Sequence, residues 1–213
     1  MFRFKLIMIG VGAFCAYLGF QEFKVSQGTT AEAVAVELAD LESGKETGEN
    51  AHMKVGSHYP VYFELIYYGP EDKEGQIDYA YYPVISENHD FIKALGELYA
   101  KYPEGNFQEH EFPKVEEFKV LVKTKRFKTT GDIPDGFDPV ESMEGLVVNK
   151  IDGLKPAEQD LLKQSFPTFD PENILILEDG RKPASNTKQY GLMGGGAFLI
   201  LIGLGWLVVG FKK

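Results

Sequence analysis

The sequence predicts an α+β domain with a mostly antiparallel sheet and two helices, flanked by N-terminal and C-terminal transmembrane helices. Three observations carry this. Apolar residues crowd at the two ends and charges crowd between them, several middle segments alternate apolar and polar residues at period two, and two others carry the helical period. A chain of 213 residues holds one ordinary domain with short extras, not two large cores. The expected boundaries are an anchor at 1–23, an acidic domain at 24–188 and a second anchor at 189–213.

The C-terminal run from Tyr190 to Phe211 has 22 residues without a charge. At helical rise it reaches about 33 Å, enough for a hydrocarbon core of about 30 Å. Lys212 and Lys213 end it. Backbone groups in lipid must be satisfied internally, so the run is expected to be helical despite seven glycines. The N-terminal run, Leu6 to Phe20, has only 15 uninterrupted apolar residues, but Phe4 extends it and Arg3 and Lys5 can reach the headgroups. A cleaved signal peptide is the rival reading. Ala13-Phe14-Cys15 is a poor small-x-small match, and Phe14 before Cys15 spoils a lipoprotein-type site, which favours a retained anchor. Arg3 and Lys5 precede the first span, so the N-terminus is expected on the cytoplasmic side and residues 24–188 on the other. Gly12 and Gly19, and Gly196, Gly203 and Gly210, recur every seven residues. Small residues permit close backbone approach in lipid, so the two helices are expected to pack along these stripes, or the second to self-associate.

Between the anchors, 24–30 and 181–189 read as polar linkers. Residues 31–41 read as a short strand and one helical turn, and 43–50 as a turn. Runs at 52–66 and 76–85 read as a hairpin, with Pro83 placing the second strand's end there or at an edge, because proline cannot donate to a ladder. Phe91, Ile92, Leu95, Leu98, Tyr99 and Tyr102 form one helical stripe, with Ser86 or Asn88 as cap and Pro103 as stop. Strands are expected within 115–127, 145–151 and 173–178. A second helix follows Gly153, with Leu161 and Leu162 facing inward.

Charge narrows the function classes. Residues 24–188 hold 18 Lys and Arg against 31 Asp and Glu, a net −13 in a chain whose total is −10. Such a body repels the phosphate backbone, so no nucleic-acid partner is expected; calcium or a basic protein surface fits better. Cys15 is the one cysteine and lies in the first apolar run, so no intramolecular disulfide can form.

No segment carries a catalytic signature. GxSxG and HExxH are missing, and the GGG at 194–196 lies within a span. His52 and His58 would share a face of one regular strand, with Glu64 approaching from a partner, but Gly56 and Ser57 intervene. His52, His58, Glu64 and His89 are the least unfavourable site residues, and His110 completes the histidines. Neither a cofactor nor a metal set is expected. Nine of eleven tyrosines lie between Tyr59 and Tyr102, either exposing an aromatic face to a partner or filling half-buried strands, the second being favoured. Lys119, Lys123, Lys125, Arg126 and Lys128 form a basic segment expected to pair with surplus carboxylates.

The stretch VELADLESGKETGENAHMKVGSHYPVYFELIYY, followed by IDYAYYPVIS, with ILILEDGRKP before the glycine-rich last span, resembles bacterial two-pass membrane proteins whose acidic domain sits between the anchors. That resemblance implies a layout and no activity. The layout is also similar to membrane-anchored E3 ligases of the mitochondrial type, but the sequence stops two residues after its last span, without the cysteine-rich module. The expected function is non-enzymatic binding or scaffolding at the cell envelope, anchored in a bacterial inner membrane, with an envelope protein or a second copy as partner. The alternative is a membrane-bound hydrolase or metal-binding enzyme with a non-contiguous site in 52–110.

Overall fold

A computed structural model describes residues 2–27, 29–45, 52–149 and 153–210. In chain order the elements are α1 (Phe2–Ser26), β1 (Val34–Val36), α2 (Leu38–Glu42), β2 (His52–Val55), β3 (Tyr59–Pro60), β4 (Ile66–Tyr68), β5 (Tyr79–Ile85), α3 (Asp90–Lys101), β6 (Val120–Thr124), β7 (Met143–Val147), α4 (Pro156–Ser165), β8 (Leu175–Asp179) and α5 (Asn186–Gly210). They divide into two compact units, one of Met1–Ala31 with Lys182–Lys213 and one of Glu32–Arg181.

The first unit is a pair of helices, both long and apolar enough to cross a membrane. Each extends beyond the expected span: α1 continues through Ser26 and α5 starts at Asn186, so parts of both stretches read as linkers are helical. Lys212, Lys213 and Phe211 lie outside the described residues. The helices run antiparallel, with Lys5 beside Trp206, Gly12 beside Gly196 and Ser26 beside Gln189. Gly12, Gly19, Gly196 and Gly203 are all buried. A Cβ at Gly196 would stand 2.5 Å from Gly12 O and 2.6 Å from Ala16 N, and one at Gly203 would stand 2.6 Å from Ile9 Cγ1. Gly191, Gly194, Gly195 and Gly205 meet nothing within 4 Å. Gly12, Gly19, Gly196 and Gly203 of the seven-residue stripes therefore form the seam between the two helices, and the surroundings of Gly210 lie outside the described residues. Within a bilayer, where lipid supplies no hydrophobic drive for helix pairing, such close approach and its dispersion contacts would hold the pair.

Polar side chains close both ends of the seam at the same spacing. Lys5 Nζ donates to Trp206 O at 2.6 Å, and Ser26 Oγ donates to Gln189 Oε1 at 3.0 Å. Gln189 is 0% exposed, and its Nε2 also donates to Ala184 O. Phe4 packs on Trp206 and Phe23 on Tyr190, an aromatic pair at each end.

The second unit is one eight-stranded sheet in the order β1-β2-β7-β8-β6-β5-β3, with β4 also paired to β5. The sheet is mixed rather than mostly antiparallel: β1 runs parallel to β2, and β6 parallel to β8. The parallel β6–β8 ladder arises because the chain between them, carrying β7 and α4, returns to β8 in the direction of β6. The helix number also differs from the expected two. Among the described residues this unit has three α-helices, because the turn expected near residue 38 is the five-residue α2, whose Leu38 and Leu41 are buried.

Strand β5 organises the core. One face carries Ala80, Tyr82 and Val84, which pack with Val120, Val122, Met53, Val55, Leu38 and Leu41. The other carries Tyr79, Tyr81 and Ile85 by alternation. Tyr79 Oη donates to Glu158 of α4 at 2.9 Å, which puts α4 over that face. Lys123 lies on the same face, its Nζ 5.1 Å from the Tyr79 ring centre and 5.7 Å from that of Tyr81.

The expected hairpin is only partly present. Residues 52–66 form no single strand: β2 pairs with β1 and β7, while β3 and β4 pair with β5. Pro83 is neither a strand end nor an edge residue, since β5 is paired on both sides, with Pro83 opposite Leu121. Its missing N–H points to the β3–β4 side. There Val61 N donates to Pro83 O at 2.9 Å, and the chain then leaves the ladder for a 3₁₀ turn at Tyr62–Glu64. The α3 cap is His89, not Ser86 or Asn88, because Ser86 is held by Glu42 through both its amide and its hydroxyl. Leu162 is buried in α4 but Leu161 is exposed.

Two outcomes check this architecture. In a Cys15→Ser background carrying Ser26→Cys and Gln189→Cys, a short bismaleimide should join the helices on a denaturing gel. Gly196→Leu should lower that yield several-fold and Gly195→Leu should not. In the sheet, Asn149 Nδ2 donates to Ile174 O at 2.8 Å and its Oδ1 accepts from Ile176 N at 2.7 Å. Asn149→Ala leaves both backbone groups without these partners and should cost about 1–3 kcal/mol, seen as a lower denaturant midpoint for the full chain in detergent.

Candidate functional site

Each residue singled out in the sequence is engaged with a different neighbour. His52 on β2 is buried, with Nε2 3.3 Å from Glu144 Oε1. His58 is buried too; its Nδ1 donates to Gly56 O at 2.8 Å, and its backbone bridges Val140. Burial pushes the His58 pKa down, against the opposing Gly56 hydrogen bond and Asp179 charge, which favours a neutral ring. His89 Nδ1 accepts from Phe91 N at 3.2 Å, capping α3, and its Nε2 donates to Glu117 O at 2.7 Å, tying that cap to the chain ahead of β6. Glu64 ends the 3₁₀ turn; burial raises its carboxyl pKa and nearby Lys114 opposes that rise. His110 is exposed. Among the described residues no group of three His, Cys, Asp or Glu could hold a metal ion. A groove of about 1000 Å³ lies at the start of α3, but His89, its one imidazole, is already bonded on both sides.

A second groove, of about 520 Å³, is built from aromatic rings. The 3₁₀ turn after β3 contributes Tyr62 and Phe63. Along α3, Leu95 and Tyr99 continue the stripe that Phe91 begins, and the loop 133–137 brings Pro134 and Phe137. Phe63 is the hub: its ring centre lies 5.8 Å from Phe91, 6.0 Å from Phe112 and 5.9 Å from Phe137. Phe137 also stacks on Tyr59 at 5.2 Å. Gly136 makes the approach to Phe137 possible, since its φ of +137° is one that side-chain-bearing residues rarely adopt. Phe63 and Tyr99 are each 49% exposed. Fully burying a phenylalanine is worth about 1.5–3 kcal/mol, so an open cluster of rings leaves burial for a partner to complete.

One wall is held by a carboxylate latch. Glu111 accepts from Gln108 N at 3.1 Å, Tyr102 Oη at 2.8 Å and Lys101 Nζ at 3.0 Å. The Gln108 amide first, then Tyr102 and Lys101, hold its carboxyl at a pKa of about 2. The latch ties Phe107 and Phe112, which flank Glu111, to the end of α3, and Phe107 meets Tyr99 at 5.6 Å. The rim is acidic. From Thr129 to Asn149 the chain has Asp132, Asp135, Asp138, Glu141 and Glu144 and no Lys or Arg. Asp132 caps its own turn, accepting from Lys128 N and Thr129 N at 2.8 Å each. Asp135, Asp138 and Glu141 are exposed and form no ion pair among the described residues.

The other biased patches are spent inside the fold. Lys125 pairs with Glu178 at 3.4 Å and Arg126 with Asp179 at 3.8 Å, as the charge surplus implies. The hairpin tyrosines mostly fill the sheet: Tyr81 and Tyr82 are buried, and Tyr67 is exposed. The open aromatic surface instead draws on Phe63, Phe112 and Phe137. Phe112 and Phe137 lie in loops with no periodicity, and their one sequence signal is an aromatic ring set among polar loop residues. No protein-family model matches the chain, and no curated protein matches it.

The Glu111 latch sets a pH dependence. A carboxyl whose folded pKa is depressed contributes stability above its unfolded value, near 4.5, and loses it as pH falls towards about 2. Amide exchange at residues 102–112 should therefore speed up as pH falls through that window, after correction for intrinsic rates. Glu111→Gln should show the faster exchange already at neutral pH.

Proposed function

We propose that the chain is a two-pass membrane protein of a bacterial inner membrane, whose domain at 24–188 acts outside the cytoplasm as a non-enzymatic binding or scaffolding module of the cell envelope. The observation that carries this reading is the half-exposed aromatic groove on a strongly acidic unit. A second support is the seam in the first unit, where Gly12 and Gly19 fit Gly196, Ile200 and Met193. A leader destined for removal has no need of a face complementary to the last helix, so the fit favours a retained first anchor. Arg3 and Lys5 ahead of α1 favour a cytoplasmic N-terminus. Its partners are the bilayer, through two helices, and an envelope protein or a second copy. The negative charge disfavours nucleic acid. Binding is favoured over a hydrolase or metal site in 52–110 because His52, His58 and His89 are bonded to different local neighbours.

Topology and binding are tested together. With Cys15→Ser and Asn106→Cys, a membrane-impermeant maleimide should label intact cells stripped of their outer barrier, and labelling only after lysis would reverse the orientation. A photo-crosslinking residue at position 99 should give a discrete adduct in membranes, and the same residue at Lys163 should not. Equal smears from both positions, or no adduct from either, would remove the groove from the binding reading.

A further inference from the structure

We propose that the aromatic groove at Phe63, Tyr99 and Phe137 docks a cationic polypeptide segment, with an apolar side chain on the rings and Lys or Arg against Asp135 and Asp138. This rests on the binding reading above and names the chemistry of the partner. The floor is built of aromatic rings, which attract apolar side chains and, over their faces, cations. The rim carries carboxylates without ion-pair partners among the described residues, and Thr129 to Asn149 holds no competing cation. Of the nearby cations, Lys101 is already bonded to Glu111 and Lys114 faces the Glu64 carboxyl. The whole unit, with 15 Lys and Arg against 31 Asp and Glu in 32–181, extends the same field outward.

Shape separates a polymer from a small cation. Pockets for small ligands bury roughly 70–90% of the ligand surface. Phe63 and Tyr99 on its wall are half-exposed, and its volume of about 520 Å³ suits one or two anchor side chains of a chain that continues past both ends. A free quaternary ammonium or a choline headgroup would keep much of its surface in water there. A second copy of the domain is disfavoured by its own charge, since like rims would face each other.

The test uses the full chain in nanodiscs of zwitterionic lipid, with empty nanodiscs as control. The probe is a short fluorescent peptide alternating Lys with Phe and Pro, beside its counterpart in which every Lys is Glu. The Lys peptide should bind with a strongly salt-weakened affinity and the Glu peptide should not. Tyr99→Ser should weaken binding roughly tenfold, and the double change Asp135→Asn, Asp138→Asn should weaken it and flatten its salt dependence, with melting curves of both variants unchanged. Equal binding of the two peptides, wild-type binding by either variant, no binding of the Lys peptide, or displacement of it by millimolar tetramethylammonium would each overturn the proposal. If the peptide fails while the crosslink at position 99 persists, the binding reading stands and only the cationic class falls.

Discussion

Pro83 has no N–H to donate, yet it sits in the middle of the strand on which the whole sheet turns. Strand β5 is buried on both faces and paired along both edges, and it tolerates the proline because the ladder beside it is already interrupted. Val61 gives one hydrogen bond to Pro83 O and the neighbouring chain then turns into a short 3₁₀ helix before rejoining as β4. The interruption has a consequence at the surface. It lifts Phe63 out of strand alternation and sets its ring among Phe91, Phe112 and Phe137. A gap in a backbone ladder thus becomes the hub of an aromatic groove.

The helical pair obeys a different rule because its expected solvent is different. In water a helix pair is held by burying apolar stripes; in lipid both alternatives are equally apolar, and what remains is close contact and hydrogen bonding. Glycine at every seventh position keeps to one side of an antiparallel pair, and the polar groups of Lys5, Ser26 and Gln189 continue the same side at its ends. A Cβ added at Gly10, Gly191, Gly194, Gly195 or Gly205, off that side, would meet nothing within 4 Å. Spacing, not glycine content, distinguishes the seam.

Charge in the second unit is divided between structural and open roles. Exposed ion pairs contribute about 0–1 kcal/mol each, so Lys125–Glu178 and Arg126–Asp179 orient the sheet end more than they stabilise it. Glu111 and Asp132 are caps and latches, holding turns through backbone N–H groups. Asp135 and Asp138 serve no such purpose and stand at the groove.

Local pattern determined a good deal by itself. Two long apolar helices, the stripe of α3 and the glycine periodicity were all legible, because helical period and apolar run length are properties of neighbouring residues. The mixed sheet was not legible, since the direction in which β8 meets β6 depends on how the intervening chain returns and leaves no mark on either strand. His89 as the α3 cap was missed for a related reason: Glu42, distant in sequence, had taken Ser86. The groove was hidden most completely. Phe63 reads as a strand residue, while Phe112 and Phe137 read as loop residues, and only the tertiary fold brings them within ring contact, because contacts between segments far apart in sequence are set by packing and not by local propensity.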